Sequence, residues 1–467
     1  MVTPTYIVVG GGPVGCAAAL QMAKLGHPTA IYEGRGSIPT DPEQSYPIGV
    51  NPRGLHAIAS VAPQIADRVK AEGRVIDAWE IFAGSRRVAK QISGVVFGTS
   101  RGNVNLRLWE EAKATPLITI HMNHRLRHID VGTRTLTFDV RDDATGNTTV
   151  VTVDASAARV IGADGVNSKV RDALVAADPT FHVDITPWNN EYRVLFATVG
   201  KMTAALNPKI HYIFSGGYTA TIDNHGQQQW SLVTCLRDQD APSSPSQLVL
   251  EGEPSPENVA RLKAWVKSFA PDFLPLVPEE EFTKYFTRRT YRGAIVRCSR
   301  LQLEDWVVLV GDAAHSVLPP TGEGINSGLE DTVVLAAAVA ASPIAAFSRF
   351  EGNRLPDLHA LLEYATHLNT APTWMGERIA RGIFMILEAQ TASSIGKRLF
   401  GPFGIDRAPY RDIVKSWKRK REVILNLARL ICYPIAAVAS IVLFVPRLFF
   451  VVSRPQEKRA KPLLSIV

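Results

Sequence analysis

Cysteine is scarce in this sequence, with only Cys16, Cys235, Cys298 and Cys432 in 467 residues. No two of them have the short spacing of metal ligands, and their arrangement does not indicate a disulfide framework. Scattered thiols of this kind are typical of buried side chains in a reducing compartment. The sequence therefore predicts no metal site, and it excludes the class of small secreted domains held together by disulfides.

The sequence also lacks internal repeats, low-complexity linkers and room for a signal peptide. The run TYIVVGGG, which starts at Thr5, is predicted to enter a strand almost at once. The chain is 46% hydrophobic over 467 residues, which is enough for a large core and for two or three structural units. We therefore expect an intracellular globular protein with more than one domain.

Positive charge is unevenly distributed along the chain. The net charge is +7, and much of it lies in two basic clusters, KSWKRKRE at 415–422 and SRPQEKRAK at 453–461. A nucleic-acid-binding protein is expected to interleave basic and aromatic residues over a folded surface, whereas these clusters flank an apolar segment. The pattern therefore argues against nucleic acid as a partner and favours a membrane.

The apolar segment between the basic clusters has no charge over residues 430–445. This run is a little shorter than the ~20 residues that span a bilayer, and the segment is interrupted by Pro434, Pro446 and Arg447. A kinked span, an interfacial helix, a re-entrant pair and a buried helix of a soluble core remain open. Because both flanks are basic, we expect residues 423–452 to associate with a membrane, at the cytoplasmic face of an organelle or of the endoplasmic reticulum.

Hydrophobic patterns predict two kinds of sheet. Residues 5–35 are predicted to form a strand, a glycine turn, a helix that ends at Gly26 and a second strand, and YIVVG is typical of a parallel strand covered on both faces. The runs ARVIGADG and WVVLVGDAAH predict two more such strands. A hairpin is expected around Gly146, an antiparallel sheet over 188–235, and mostly helix over 325–421.

A glycine motif follows the first predicted strand and opens the first predicted helix. It is G-x-G-x-x-G, in which the first glycine permits the turn, the second lets a pyrophosphate approach and the third lets the helix pack closely. An acidic residue ends the next strand, at the position that contacts an adenosine ribose. The predicted dinucleotide contacts are Gly10, Gly12, Pro13, Val14, Gly15 and Glu33.

Two more predicted strands end at an aspartate. GADGVNSKVR places Asp164 at one strand end, and GDAAHSVLPPTGEGINSGLED places Asp312 at another, before a loop rich in proline and glycine. Three segments that converge on one long ligand suit FAD, which lies extended across such a sheet. No second G-x-G-x-x-G is present, which argues against flavoenzymes that carry two nucleotide domains.

Together these motifs resemble those of the aromatic hydroxylase class of FAD-dependent monooxygenases. The resemblance implies an α/β fold: a Rossmann-like FAD-binding domain of the para-hydroxybenzoate-hydroxylase type, an inserted antiparallel-sheet substrate domain and a C-terminal helical, membrane-associated segment. It further implies that Asp312 contacts the flavin ribitol, that the following loop lines the isoalloxazine ring, and that the arginine of SRGNV binds FAD. The FAD contacts implied beyond the glycine motif are Arg101, Asp164, Asp312, Pro319, Gly322, Gly324, Ile325 and Asn326.

The resemblance is nearest to the kynurenine 3-monooxygenase family and extends over nearly the whole chain. It rests on RVAKQISG, HMNHRL, GDAAH with GEGINSGLED, and YRDIVKSWKRKREVI. Phe97 and Phe400 stand where that family has tyrosines that bind the substrate carboxylate. Because a lost hydrogen bond to a charge costs about 1.5–3 kcal/mol, we expect a substrate other than L-kynurenine. The implied substrate contacts are Arg87, Phe97, Tyr192, Phe214, Pro320, Thr321 and Phe400.

The same resemblance divides the chain into segments. FAD-binding parts are expected at 1–80, 101–182 and 300–372, a substrate-pocket segment at 81–100, the antiparallel-sheet domain at 183–299, C-terminal helices at 373–422, the membrane segment at 423–452 and a basic tail at 453–467.

The implied reaction is the hydroxylation of a small aromatic or lipophilic substrate by O2, with NADPH or NADH as reductant, through a flavin C4a-hydroperoxide. Since the cofactor performs the oxygen chemistry, no catalytic side chain is required, and His315 is expected to be structural. Two other readings remain open. One is an epoxidase or tailoring oxygenase that acts on a lipophilic terpenoid, indole or polyketide, and the other is an FAD-fold protein that binds without turnover.

Overall fold

The computed structural model describes residues 5–38, 46–224, 227–237, 252–369, 382 and 407–452. The chain divides into two compact units. The first comprises Met1–Thr370 with Ala389–Trp417, and the second comprises Ala371–Glu388 with Lys418–Val467. The sheets all lie in the first unit, and the described part of the second unit is helical.

A six-stranded sheet is built from distant parts of the first unit. In spatial order its strands are β16 (Gln302–Leu303), β17 (Val307–Leu309), β10 (Arg159–Gly162), β1 (Tyr6–Val9), β2 (Thr29–Tyr32) and β6 (Ile118–His121). Neighbouring strands pair in parallel, except for β16 and β17. The predicted parallel strands at YIVV, RVIG and VVL are confirmed, and apart from the partly buried Arg159 their apolar sequences follow from burial on both faces.

The described residues contain eleven α-helices. In chain order they are α1 (Pro13–Lys24), α2 (Pro52–Val61), α3 (Pro63–Glu72), α4 (Arg101–Ala114), α5 (Lys169–Ala177), α6 (Pro256–Phe269), α7 (Glu279–Lys284), α8 (Asp312–His315), α9 (Gly324–Ala341), α10 (Ala346–Asn369) and α11 (Tyr410–Val452). In α1 the residues from Cys16 to Ala19 are fully buried. Their small side chains let the helix pack closely against β1, α4 and α9.

A second, eight-stranded sheet lies in the same unit. In spatial order its strands are β15 (Tyr291–Cys298), β11 (Val183–Phe196), β14 (Gln227–Arg237), β13 (Gly217–Asn224), β12 (Ile210–Phe214), β4 (Arg74–Ala83), β5 (Arg86–Ser100) and β3 (Pro47–Val50). The pairing is antiparallel except between β12 and β4. The predicted antiparallel sheet is confirmed. It also includes residues 81–100, which the sequence had indicated only as a pocket segment.

A small sheet is formed by β7 (His124–Asp130), β8 (Thr135–Arg141) and β9 (Thr148–Asp154). Strands β8 and β9 are antiparallel, and Gly146 in their connection has a φ of +72°. The predicted hairpin is therefore confirmed, with glycine at the left-handed turn position that favours it.

The apolar segment near the C-terminus is part of the long helix α11. In the ranges that the structure describes, no helix combines the length and the apolar character needed to cross a membrane. A membrane-spanning segment within 423–452 is therefore not supported. The predicted basic tail at 453–467 lies outside the described residues.

Candidate functional site

The glycine turn between β1 and α1 has the backbone geometry that the motif predicts. Gly10 has a φ of +102°, and a Cβ on it would lie 2.5 Å from the carbonyl oxygen of Ala163. A Cβ on Gly15 would lie 1.9 Å from the carbonyl oxygen of Gly10. Both positions therefore require glycine, the first for the turn and the second for close packing of the helix.

The Glu33 carboxylate lies beside this turn. Its Oε2 accepts the backbone N–H of Gly11 at 2.7 Å, and its Oε1 accepts the backbone N–H and the Nε–H of Arg35, each at 2.9 Å. The side chain is buried. These bonds fix the end of β2 to the glycine turn, and the contact between Glu33 and an adenosine ribose stays a prediction.

Arg101 reaches the same turn from the first position of α4. Its Nη2 lies 3.6 Å from where a Cβ on Gly12 would be, and α1 begins after Gly12 without a side-chain cap. Among the described residues, no carboxylate pairs with the Arg101 guanidinium. The Arg101 guanidinium and the uncapped N–H groups of α1 can donate hydrogen bonds to a pyrophosphate, and the absence of a Cβ on Gly12 leaves room for it. The residues present therefore fit FAD.

Asp164 follows β10 and contacts the start of α5. Its Oδ1 accepts the hydroxyl of Ser168 at 2.5 Å, and its Oδ2 accepts two backbone N–H groups of the first helical turn at 2.7 and 3.1 Å. Arg171 in the same helix donates to the carbonyl of Ala313 in α8 at 3.0 Å. The predicted second and third motifs are thus brought together.

Asp312 opens α8 at the end of the parallel sheet. Its side chain is exposed and accepts no hydrogen bond from the described residues. Behind it, Asp331 Oδ2 contacts His315 Nε2 at 2.5 Å and accepts the backbone N–H of Gly311 at 2.8 Å. The strand end is fixed by this buried pair, which agrees with a structural role for His315. The Asp312 carboxylate remains available to a ligand.

The loop after α8, residues 316–323, carries the predicted ring-lining positions. Pro319–Thr321 forms a turn of 3-10 helix, and Gly322 has a left-handed φ of +66°. The hydroxyl of Thr321 donates to the carbonyl of Leu318 at 2.8 Å. The side chain of Thr321 therefore holds the loop, and Gly324 begins α9 directly after it.

Asn326, in the first turn of α9, also supports this loop. Its Nδ2 donates to the carbonyls of Gly49 and Gly322 at 2.9 and 2.8 Å, and its Oδ1 accepts the backbone N–H of Asn51 at 3.0 Å. Ile325 packs against the core of the six-stranded sheet. Because these hydrogen bonds occupy the Asn326 side chain, we expect its predicted contact with the flavin to come from its backbone.

Aromatic side chains of the large sheet pack beside the 316–323 loop. We refer to Trp188, Tyr192, Tyr218 and Tyr291 as the aromatic wall. The rings of Trp188 and Tyr192 are 4.7 Å apart, and the same cluster contains Val317 and Leu318 of the loop. A Cβ on Gly293 of β15 would lie 3.3 Å from Pro319 Cδ. The wall therefore lies directly beside the predicted ring-lining segment, and Tyr192 belongs to it.

The other predicted substrate contacts are less close to this wall. Arg87 is 54% exposed on its side chain, and its Nη1 pairs with Glu80 Oε1 at 2.9 Å. Phe97 pairs with Val50 across β5 and β3, and it packs against the core of the six-stranded sheet.

Phe214 packs in a separate cluster under α6, with its ring 6.1 Å from that of Phe269. Phe400 lies outside the described residues, and for Pro320 the structure describes only the backbone. The predicted pocket roles of these residues are not tested by their placement.

Tyr46, Arg289 and Tyr291 were not predicted from the sequence. The carbonyl of Tyr46 accepts the backbone N–H of Arg101 at 3.2 Å, and its ring is 5.1 Å from that of Tyr291. Arg289 Cζ lies 5.3 Å from the centre of the Tyr291 ring. Tyr291 begins β15, which lies outside the antiparallel sheet predicted over 188–235. No local pattern identifies Tyr46 or Arg289, because the contact between Tyr46 and Tyr291 joins residues that are more than two hundred positions apart in the sequence.

The hydroxyl of Tyr291 is a buried polar group without a hydrogen-bond partner in the described part of the chain. Tyr46 lies within electrostatic reach of Arg101, Asp312 and Arg289. The aromatic wall, the predicted FAD contacts and an exposed guanidinium therefore meet in one region. No group of residues suited to a metal ion occurs in the described ranges.

Comparisons with known proteins agree with this arrangement. A family model described as an FAD binding domain matches residues 3–241 and 268–343. Kynurenine 3-monooxygenase from Neurospora crassa is 27% identical over 354 residues, which are 70% of this chain and 68% of the relative. Kynurenine 3-monooxygenase from Salinispora arenicola is 28% identical over 374 residues, which are 77% of this chain and 78% of the relative.

Among solved structures, P. aeruginosa PqsL in complex with 2-aminobenzoylacetate has a TM-score of 0.56 at 18% identity, and the match covers 78% of this chain and 95% of that one. At this identity the likeness shows a shared fold. The predicted FAD cofactor and the predicted monooxygenase class are confirmed by these matches taken together. The family model matches more than half of the residues of this chain. The chain therefore belongs to the FAD-binding domain family.

Proposed function

We propose that the protein hydroxylates a planar aromatic substrate that carries an acidic group, with NAD(P)H as reductant and O2 as cosubstrate. The observation that carries this proposal is the aromatic wall beside the 316–323 loop. Aromatic side chains favour offset or edge-to-face contacts with a planar ring. The names of the similar proteins support the proposal, since kynurenine and 2-aminobenzoylacetate are both aromatic acids.

When bound, FAD supplies the redox chemistry that activates O2. The protein's own residues bind the cofactor, orient the substrate and shield both from water. Arg101 and the N-terminus of α1 would hold the pyrophosphate, Asp312 would bind the ribitol, and Gly322 would let the loop backbone approach the ring because it has no Cβ. With FAD bound, the aromatic wall would exclude water from the space beside the 316–323 loop, which limits side reactions.

Arg289 and Tyr291 hold the acidic group of the substrate in this proposal. The Tyr291 hydroxyl is a buried group without a partner among the described residues, so it is able to donate a hydrogen bond to the acidic group. Arg289 lies over the same ring, is exposed, and pairs with no carboxylate among the described residues. Arg87, the position implied by the family resemblance, already pairs with Glu80.

The test uses purified, FAD-loaded protein with NADPH, O2 and a panel of compounds. The panel contains aromatic acids, their neutral esters, and lipophilic alkenes. We expect substrate-dependent NADPH oxidation and a product heavier by one oxygen atom for the aromatic acids. If oxygenated products arise only from the alkenes, the epoxidase reading replaces this one. If no compound is oxygenated, the hydroxylase function is refuted.

A matched pair of variants separates the two arginines. Because a lost hydrogen bond to a charge costs about 1.5–3 kcal/mol, Arg289→Gln is expected to raise the KM for the acid by about 10- to 150-fold. Arg87→Gln is expected to leave that KM unchanged, and neither variant is expected to change the KM for NADPH. If Arg87→Gln alone raises the KM for the acid, the acidic group is bound by Arg87 and not by Arg289. A raised KM for NADPH in Arg289→Gln would assign this guanidinium to the nucleotide instead.

We also propose that residues 423–452 attach the protein to a membrane surface, at the cytoplasmic face of an organelle or of the endoplasmic reticulum. Val423, Leu427, Leu430 and Val438 are exposed in α11 and follow the spacing of one helical face. Flotation with anionic vesicles tests this, with Leu427→Glu/Leu430→Glu as the matched variant. Binding that is equal in both proteins, or absent from both, refutes the proposal.

A further inference from the structure

Glu323 is a buried carboxyl group that the proposed reaction does not use. It is 2% exposed and is the last residue of the 316–323 loop, directly before the first turn of α9. Its Oε1 accepts the Nδ2–H of Asn51 at 2.9 Å, and its Oε2 accepts the hydroxyl of Tyr410 at 2.6 Å. Both oxygens are therefore bound by neutral donors.

Tyr410 is the first residue of α11 and is fully buried. The guanidinium carbon of Arg53 lies 4.1 Å from its ring centre, and that of Arg354 lies 5.5 Å away. Arg53 also donates to the carbonyl of Ala408 at 2.6 Å. The start of α11 is thus held firmly where it meets Glu323.

Asn51 carries the contact from Glu323 back into the loop. Its backbone N–H donates to Oδ1 of Asn326 at 3.0 Å, and Nδ2 of Asn326 donates to the carbonyl of Gly322 at 2.8 Å. One hydrogen-bond network therefore connects Tyr410 to the loop backbone that is predicted to line the flavin ring.

The charged groups around Glu323 already have other partners. Arg53 of α2 pairs with Glu330, and Arg354 of α10 pairs with Glu330 and Asp331 of α9. No ion pair to Glu323 exists among the described residues. Burial therefore raises the pKa of Glu323 to about 7, although the hydrogen bond from Tyr410 and the charge of Arg53 partly oppose this.

We propose that Glu323 is a positioning residue, whose contact with Tyr410 fixes the 316–323 loop against the start of α11 and changes in strength when its carboxyl group gains or loses a proton. The charged form accepts a charge-assisted hydrogen bond from Tyr410, which is stronger than the bond to the neutral acid. The environment of the flavin ring is then expected to change over the same pH range. The inference rests on the proposed function only for the position of FAD.

The first arm of the test measures stability and needs neither substrate nor turnover. The folded-state pKa of Glu323 lies above the value of about 4.3 for an unfolded chain. Its protonated form therefore adds stability that is complete below about pH 4.3 and is lost as the pH rises through about 7. The unfolding midpoint of the wild type is expected to fall relative to that of Glu323→Gln across this interval. A constant difference between the two proteins refutes the ionisation.

The second arm measures the fluorescence and visible spectrum of bound FAD as a function of pH. We expect an ionisation near pH 7 in the wild type and its absence in Glu323→Gln. In Tyr410→Phe the charged carboxyl group loses a hydrogen bond worth about 1.5–3 kcal/mol, so the ionisation is expected to move up by about one to two pH units.

Tyr212→Phe is the matched control, since Tyr212 is also buried and its hydroxyl accepts a single backbone N–H, that of Asn207, at 2.8 Å in another cluster. It is expected to leave the flavin ionisation unchanged. The positioning role is overturned if Glu323→Gln keeps the ionisation or if Tyr410→Phe does not move it. Because neither arm uses a substrate, failure of the proposed hydroxylation would be seen separately.

Discussion

Replacement of Asp331 by asparagine is expected to weaken the support behind the flavin-binding strand end. Asp331 is fully buried in α9. One carboxylate oxygen contacts His315 at 2.5 Å and the backbone N–H of Gly311 at 2.8 Å, and the other accepts the Nε–H of Arg354 at 2.7 Å. The amide has nearly the same shape, so the substitution changes charge and hydrogen-bonding capacity without leaving a cavity.

The size of the expected loss of stability follows from the groups that lose a hydrogen-bond or charged partner in Asp331→Asn. An amide NH2 placed toward Gly311 and His315 would face N–H groups, and the buried Arg354 would keep only Glu330 as a charged partner. Removal of one member of a buried ion pair costs about 3–5 kcal/mol. We therefore expect Asp331→Asn to lower the free energy of unfolding by about 3–5 kcal/mol.

Urea unfolding followed by tryptophan fluorescence measures this difference. With a urea dependence of about 3 kcal/mol per molar, the midpoint is expected to fall by about 1–1.7 M. Asp172→Asn is the control, because Asp172 pairs with Lys169 at the surface and such pairs contribute about 0–1 kcal/mol. A midpoint for Asp331→Asn that matches this control would refute the reasoning.

The pH dependence gives an independent check. Burial by itself raises the pKa of Asp331, but His315, Arg354 and the Gly311 N–H together hold it below its usual range. The stabilisation is therefore present above the unfolded value of about 3.9 and is lost as the pH falls through the lower folded value. The difference in the free energy of unfolding between the wild type and Asp331→Asn is therefore expected to shrink only at acidic pH.

Three further predictions concern the cofactor site and the thiols. Gly15→Ala is expected to lose bound FAD, seen as a lower ratio of flavin to protein absorbance, because its Cβ would lie 1.9 Å from the Gly10 oxygen; Gly352→Ala, which has open space, is the control. Arg101→Gln is expected to weaken FAD binding by about tenfold or more in a fluorescence titration of the apoprotein, and an unchanged affinity would contradict its assignment. Burial raises the pKa of Cys298 to about 12 and that of Cys16 further. Neither thiol is expected to react with Ellman's reagent until the protein unfolds.

The parallel sheet was predictable because its strands are marked by local sequence. YIVV, VIG and VVL are short runs without a charged residue, and a glycine or an aspartate follows each of them within two residues. The position of residues 81–100 was not predictable in the same way. Strand β4 pairs in parallel with β12, more than a hundred residues later, and no local pattern specifies such a pairing.

The cofactor side of the site was also more predictable than the substrate side. Gly10 and Gly15 are required by backbone geometry, which leaves a motif in the sequence. The contacts of Tyr291 and Glu323 depend on side chains from distant segments, Tyr46 and Tyr410, that meet them only in the folded chain. Transfer from the family resemblance indicated Arg87, whose ion pair with Glu80 only the structure reveals.

The order of strands in the six-stranded sheet has a consequence for synthesis of the protein. Strand β10 pairs with β1 on one side and with β17 on the other, and β17 ends at residue 309 of 467. The glycine motif is therefore synthesised long before β17, and the six-stranded sheet can be completed only after β17 has been synthesised. Such long-range pairing folds slowly and leaves apolar strands open to misassembly. We therefore expect flavin to bind only after β17 has been synthesised, and we expect C-terminally shortened fragments that stop before β17 to lack bound FAD and to depend on chaperones.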